Sequence, residues 1–298
     1  MINKGPSIRT FSNDTEMIDH INQISGNSFI TIADALAWVN GQNDYYIQNI
    51  EAPTILTEDL ILYVDAGQVS SMPKGGTTWY DLSTTQAHGT LINNAQWATR
   101  GNGSVVYDSN GDYVNCPSVP ININAGEGNT VEQWLYWTGG SGEMTFSFGG
   151  AELDLYITIG TLGFNNGNAL LYGIPFSEYS NKWTHITAFF PSNWGPSTYE
   201  DAKLWVNGIR QNISILSGSV VVEPLVTPSD IIIGSGFGSN PVQYSFGGNI
   251  ASTKLYAREL NDEEVYLNYL GSVNRFFDWI LVSGNWDDSS IWIDEETW

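Results

Sequence analysis

The chain has 298 residues, 42% of them hydrophobic, which is enough to bury a sizeable core in one main domain, and 31 glycines with 13% aromatic residues favour many short strands over long helices. Ten basic residues against 32 acidic ones leave a formal net charge of −22. Such a surface repels phosphate backbones and anionic bilayers, which argues against nucleic-acid partners and membrane-surface roles.

The surplus carboxylates can serve solubility, or some acidic loops can hold calcium, a cation that takes carboxylate and carbonyl oxygens. Cys116 is the only cysteine. No internal disulfide can form, and beside Pro117 the thiol reads as a small buried hydrophobe. Residues 1–10 hold no apolar core of signal-peptide length, and no segment approaches the roughly eighteen apolar residues of a membrane helix. The expectation is therefore a chain made in a cytoplasm, with no export signal and no membrane insertion.

In chain order, residues 13–24 place Met17, Ile18, Ile21 and Ile24 at helical spacing, and Asn13 with Glu16 resembles a capping box. Residues 31–40 repeat the pattern with Leu36, Trp38 and Val39 and end at Asn40-Gly41. These predict two short amphipathic helices. A segment of this size, 1–55, does not fold stably alone. It reads as a docking arm, with Met17, Ile21, Leu36 and Trp38 as its contact residues.

Residues 60–66 (LILYVDA), 78–82 (TWYDL), 89–93 (GTLIN) and 111–114 (GDYV) read as strands. Later, residues 181–190 (NKWTHITAFF) alternate with a period of two, so one face is buried and His185 reads as a hydrogen-bonded structural histidine. Residues 203–213 place Asn207-Gly208 between apolar runs, which predicts a two-residue hairpin turn. Residues 247–256 form a further strand. Asn261 then caps a helix whose first turn holds Asp262, Glu263 and Glu264, whose Val265, Tyr269 and Leu270 face the sheet, and which Gly271 stops. The last segment, 276–298, spaces Trp279, Trp286, Trp292 and Trp298 six or seven apart and reads as a β-hairpin tail around 284–289. An isolated hairpin is marginal in water, so the tail needs a partner surface, in its own chain or in another.

The order W-x-H, V-N-G, I-G-x-G and G-x-I-A-x-x-K-L-Y resembles the closing half of concanavalin A-like, laminin-G-like jelly rolls. The strands at 60–66, 78–82, 89–93 and 111–114 resemble the opening half. The resemblance implies a mainly β fold: a concanavalin A-like jelly-roll β-sandwich over 56–275, with a short α-helical N-terminal arm and a C-terminal β-hairpin tail. Residues 33–40 running into 57–66, with 75–82, resemble the leaders of this jelly roll in tailed-phage virion proteins.

That resemblance implies a virion structural protein, a capsid decoration or fibre component on the particle surface. Its partners would be other virion proteins, further copies of itself and host or environmental glycans, and assembly in a host would end in lysis. The alternatives are a free carbohydrate-binding module and, third, a laminarinase-like glycoside hydrolase. For the last, Glu152 and Asp154 resemble the E-x-D-x-x-E strand of such glucanases and share a strand face. The second glutamate is replaced, since Tyr156 and Ile157 follow. Retaining hydrolysis uses two carboxylates across the sugar bond, so no enzyme is expected. Asp108 and Asp112 occupy the family's D-x-x-x-D-Y position, where calcium is the cofactor they would take. Trp194 and Phe237, in loops, are the aromatic platforms a bound sugar would use.

Overall fold

The computed structural model describes residues 7–11, 14–28, 30, 35, 45–47, 55–149, 153–166, 170–236, 244–276 and 279–283. In chain order its strands are β1 (Ser7–Phe11), β2 (Tyr45–Ile47), β3 (Leu60–Asp65), β4 (Thr78–Trp79), β5 (Gly89–Ile92), β6 (Gln96–Ala98), β7 (Ser104–Asp108), β8 (Tyr113–Val119), β9 (Gly128–Trp137), β10 (Glu143–Phe148) and β11 (Leu153–Thr158). They continue with β12 (Thr161–Asn166), β13 (Leu170–Pro175), β14 (Trp183–Pro191), β15 (Asn193–Trp194), β16 (Lys203–Val206), β17 (Ile209–Arg210), β18 (Ser214–Gly218), β19 (Glu223–Pro224), β20 (Ser229–Ile233), β21 (Gly247–Tyr256) and β22 (Trp279–Ser283). Beside them stand helices α1 (Asp14–Ser25) and α2 (Asp262–Val273) and short 3-10 turns at Arg100–Asn102, Ser177–Tyr179 and Tyr199–Asp201.

The chain divides into two compact units, one of residues 55–269 and one of residues 1–54 with 270–298. The first is the sandwich. One sheet has nine strands in the order β18-β13-β12-β11-β10-β20-β8-β5-β4, and the other runs β17-β16-β14-β9-β21-β7-β6 with β3 also on β21. Every strand pairing in both is antiparallel. Alternation then sends one side chain in two inward. Phe190 of β14 meets Phe148 at 5.1 Å and Phe164 at 4.8 Å, both edge to face, so the two sheets interlock through aromatic rings. Cys116 lies fully buried in this core, and burial pushes its thiol well up, which keeps it unreactive.

Local chemistry explains several turns. Asn207 and Gly208 have φ of 52° and 77°, the two positive values of a tight hairpin, and Val206 pairs with Ile209 across them. Asn261 Oδ1 accepts the Glu264 N–H at 2.9 Å while Glu264 accepts the Asn261 N–H at 2.9 Å, a reciprocal capping box that starts α2. Arg258 grips the same Glu264 with bonds of 2.7 and 2.8 Å. Val265 and Tyr269 are buried, Tyr269 stacking on Trp134 at 5.7 Å. Gly271 does not stop α2, which continues to Val273; glycine weakens a helix without ending one when the following residues still close its hydrogen bonds.

Beneath α2 lies a polar network. Lys254 Nζ reaches Glu132 at 3.2 Å, Asn268 donates to the same carboxylate at 3.0 Å and to Tyr256 Oη at 2.9 Å, and all four side chains are buried. His185 sits beside them between Trp134 and Tyr269, its ring centroid 5.2 and 5.7 Å from theirs. It is buried as expected, yet neither ring nitrogen has a hydrogen-bond partner; Nε2 stands 4.0 Å from Glu132. The rings of Trp134 and Tyr269 pack around the imidazole, so ring packing takes the place of the expected hydrogen bond.

The other unit joins strands from the arm and from the tail. β22 pairs with β1 along one edge (Phe11 with Trp279) and with β2 along the other, all antiparallel, so the two ends of the chain share one three-stranded sheet. The tail strand thus finds its partners in the N-terminal segment. Of the second predicted helix, 31–40, only Ala35 is described, helical and buried, and the second half of the predicted hairpin lies outside the described residues.

Burial, and then the Lys254 ammonium, hold His185 well below its usual range, so it stays neutral in the folded chain. The unfolded chain takes that proton near pH 6.5, so His185's contribution to stability is full above about pH 6.5 and is lost on acidification below it, by up to about 1.4 kcal/mol per pH unit. His185→Phe should flatten the fall in melting temperature between pH 6.5 and 5; an unchanged acid slope contradicts this.

Candidate functional site

The inward set of the nine-stranded sheet includes Leu153, Leu155, Ile157, Leu162, Phe164, Leu170 and Tyr172. The residues between them therefore form the opposite, outer face. The strand registers align these into two rows. One reads Ser147, Asp154, Asn165, Leu171 and Ser217; the other reads Met144, Tyr156, Gly163, Gly173 and Ser214. Asn165 Nδ2 donates to Asp154 Oδ2 at 3.2 Å, and both residues are buried. Half-buried Tyr156 meets Tyr244 edge to face at 5.9 Å.

The second row is flat because two glycines face each other. A Cβ on Gly163 would lie 2.5 Å from the Tyr172 carbonyl oxygen, and one on Gly173 would lie 2.0 Å from that of Leu162. Only glycine permits so close a backbone approach. The glycine pair leaves a gap between Tyr156 and Ser214 in the second row, and beside it Asp154 and Asn165 are buried with Ser147, Leu171 and Met144. Rings such as that of Tyr156 offer a flat apolar surface to a sugar while amide and acid oxygens fix its hydroxyls.

This is the strand of the predicted Glu152/Asp154 pattern. Glu152 lies outside the described residues. Tyr156 and Thr158 share the face of Asp154, whereas the position of the motif's second glutamate is held by Ile157, which is buried in the core. Asn165, Gly163, Gly173 and Tyr244 were not read from sequence. Tyr156 was read only as a missing acid, and the adjacent glycines of two consecutive strands are the signal that such a gap leaves.

Trp194, predicted as a sugar platform, is corrected: it is fully buried, its ring 5.7 Å from Phe164, because its short strand β15 folds the indole into the core. Phe237 lies outside the described residues. Asp108 and Asp112 do share the β7–β8 turn, but as a clamp. Buried Asp112 accepts the Asn94 N–H at 2.8 Å and the Asp108 N–H at 3.0 Å, while Asp108 accepts the Asn110 N–H at 2.8 Å. Burial pushes the Asp112 carboxyl up against the opposing pull of those N–H donors. Both its oxygens are thus committed to the backbone, and among the described residues no three His, Cys, Asp or Glu side chains gather into a cation site.

Of the predicted docking residues, Met17 and Ile21 are fully buried within the single chain, so that stripe of α1 is covered and is no open contact face. Trp279 lies in β22. Leu36, Trp38, Trp286, Trp292 and Trp298 lie outside the described residues.

Residues 108–266, more than half of the chain, match the family described as the concanavalin A-like lectin/glucanases superfamily. The chain belongs to that superfamily. No curated protein matches it in sequence. Among solved structures, it is similar to the botulinum neurotoxin serotype D binding domain, at 18% identity and a TM-score of 0.51 over 72% of this chain and 52% of that one. It is also similar to a mutant of Trypanosoma rangeli sialidase displaying trans-sialidase activity, at 16% identity and a TM-score of 0.51 over 75% of this chain and 34% of that one. The match thus spans about half of the first and a third of the second, and both likenesses are of fold.

Asp112→Ala strands two N–H donors, Asn94 between β5 and β6 and Asp108 at the end of β7, and should cost about 1–3 kcal/mol of stability, read as a lower melting temperature. An unchanged melting temperature would remove Asp112 from the role of clamp.

Proposed function

We propose that this chain is a structural protein of a tailed-phage particle, a capsid decoration or fibre component that displays a lectin-like jelly roll on the virion surface and touches glycans with the outer face of its nine-stranded sheet. The observation that carries this reading is the division of the chain. The sandwich is one unit, and the two chain ends close on each other as a separate three-stranded sheet, so the displayed domain is an insertion held at both ends. Such a mount suits attachment to other virion proteins. The likeness of residues 33–40 and 57–66 to phage leaders supplies the particle.

Within a superfamily whose description spans lectins and glucanases, Ile157 favours the first, because a buried isoleucine stands where the motif has its second glutamate. On the outer face the ring of Tyr156 lies across from Gly163, with Asp154 and Asn165 paired in the neighbouring row. Recognition by aromatic contact with a few polar groups fits that inventory.

Mass spectrometry of purified particles should find this chain at fixed stoichiometry. On a glycan array the isolated chain should bind, and Tyr156→Ala should weaken binding about tenfold while the chain stays folded, with a melting temperature lowered by no more than the loss of the Tyr244 contact. Peptides absent from the particle, with glycan binding retained, would replace the virion reading by the free carbohydrate-binding module. Binding indifferent to Tyr156 would remove this face as the site.

A further inference from the structure

α2 covers only part of the outer face of the sheet built on β9, β14 and β21. It closes over Trp134 of β9 and His185 of β14. Two residues away on each strand, a step that returns to the same face, stand Tyr136 and Trp183. They pair directly across the two strands, their rings meet edge to face at 5.7 Å, and both are half-buried, so a ledge of two rings reaches the surface.

A cation is mounted on this ledge. Arg100 Cζ sits 4.3 Å from the centre of the Tyr136 ring, and Arg100 itself is exposed. The turn that carries it is pinned by two buried side chains. Asn249, the β21 neighbour of Tyr136, donates through Nδ2 to Ser104 Oγ at 3.1 Å, and Ser104 donates to the Arg100 carbonyl at 2.9 Å. Stacked above and anchored below, the arginine loses little freedom when something binds to it.

Its charge is uncompensated. Lys203, Arg210, Lys254 and Arg258 each pair with a carboxylate. Among the described residues Arg100 pairs with none, and neither does exposed Lys182, which precedes Trp183, although the chain holds 32 acids. A ring face supplies no oxygen acceptor, so the guanidinium keeps its fork of N–H donors, a geometry that takes a planar carboxylate with two parallel bonds. The rings beside it offer an apolar surface to the C–H face of a pyranose.

We propose that Trp183, Tyr136 and Arg100 form a second glycan site, on the other sheet from Tyr156, which takes a pyranose that carries a carboxylate. Uronic and sialic acids both present that group. The net charge of −22 decides how much acid the site tolerates. A polyanion lays many charges against acidic surface and is repelled, whereas a single carboxylate seated on Arg100 meets its cation well inside the screening length of about 8 Å. The site goes beyond the Tyr156 face and does not need it.

Titration calorimetry of the full chain tests this with two matched pairs, methyl glucuronide against methyl glucoside and sialyllactose against lactose. At least one acidic sugar should bind about tenfold or more tightly than its neutral parent, and the pair that shows the difference identifies the acid. Arg100→Gln, at an exposed position, should erase the preference, and Trp183→Ala should weaken binding about tenfold. Tyr156→Ala should leave the preference intact. Acidic and neutral sugars that bind alike in both pairs, a preference that survives Arg100→Gln, or a preference lost with Tyr156→Ala would each overturn the proposal.

Discussion

The sandwich depends on one contact between its layers, the ring of Phe190 set against Phe148 and Phe164. A chain at −22 has no electrostatic reason to be compact, and with a single cysteine it has no covalent one. Apolar burial has to carry the fold, and rings that meet edge to face fix the two sheets in one relation while they exclude water. With the layers locked from inside, the outer faces are free to differ.

They differ in kind. The face of the sheet built on β9, β14 and β21 carries Glu132, Lys254 and His185, and α2 closes over them with Tyr269 and Asn268. Buried charges that keep a partner and a third hydrogen bond are tolerable, and losing one of them is costly, so this face specifies where α2 docks. The opposite face has a glycine gap, an amide, an acid and two tyrosines. One face is spent on holding α2 in place, and the other is left to the small and polar side chains of the two outer rows.

What could be read from sequence was local. Asn207-Gly208 announces its turn because only positive φ fits there, and Asn261 with Glu264 announces a helix start because each side chain satisfies the other's backbone. The period of two in residues 181–190 matches β14. Long-range pairing was hidden. β22 takes its two partners from residues 7–11 and 45–47, more than 230 positions away, and no periodicity in a five-residue strand says what will lie beside it. Trp194 misled for a related reason: a loop tryptophan looks like a surface platform until a two-residue strand turns it inward. Asp112 was recognisable as special by its motif, but its role as a clamp rests on the Asn94 and Asp108 N–H groups, which only folding brings to it.

The account as a whole turns on a display domain mounted through the joined chain ends. Cryo-electron microscopy of intact particles, labelled with antibody fragments raised against residues 55–269, measures this most directly. The account predicts regular surface density that carries the label, with the jelly roll outermost. Unlabelled particles, while the same antibody captures free chain from the lysate, would contradict it.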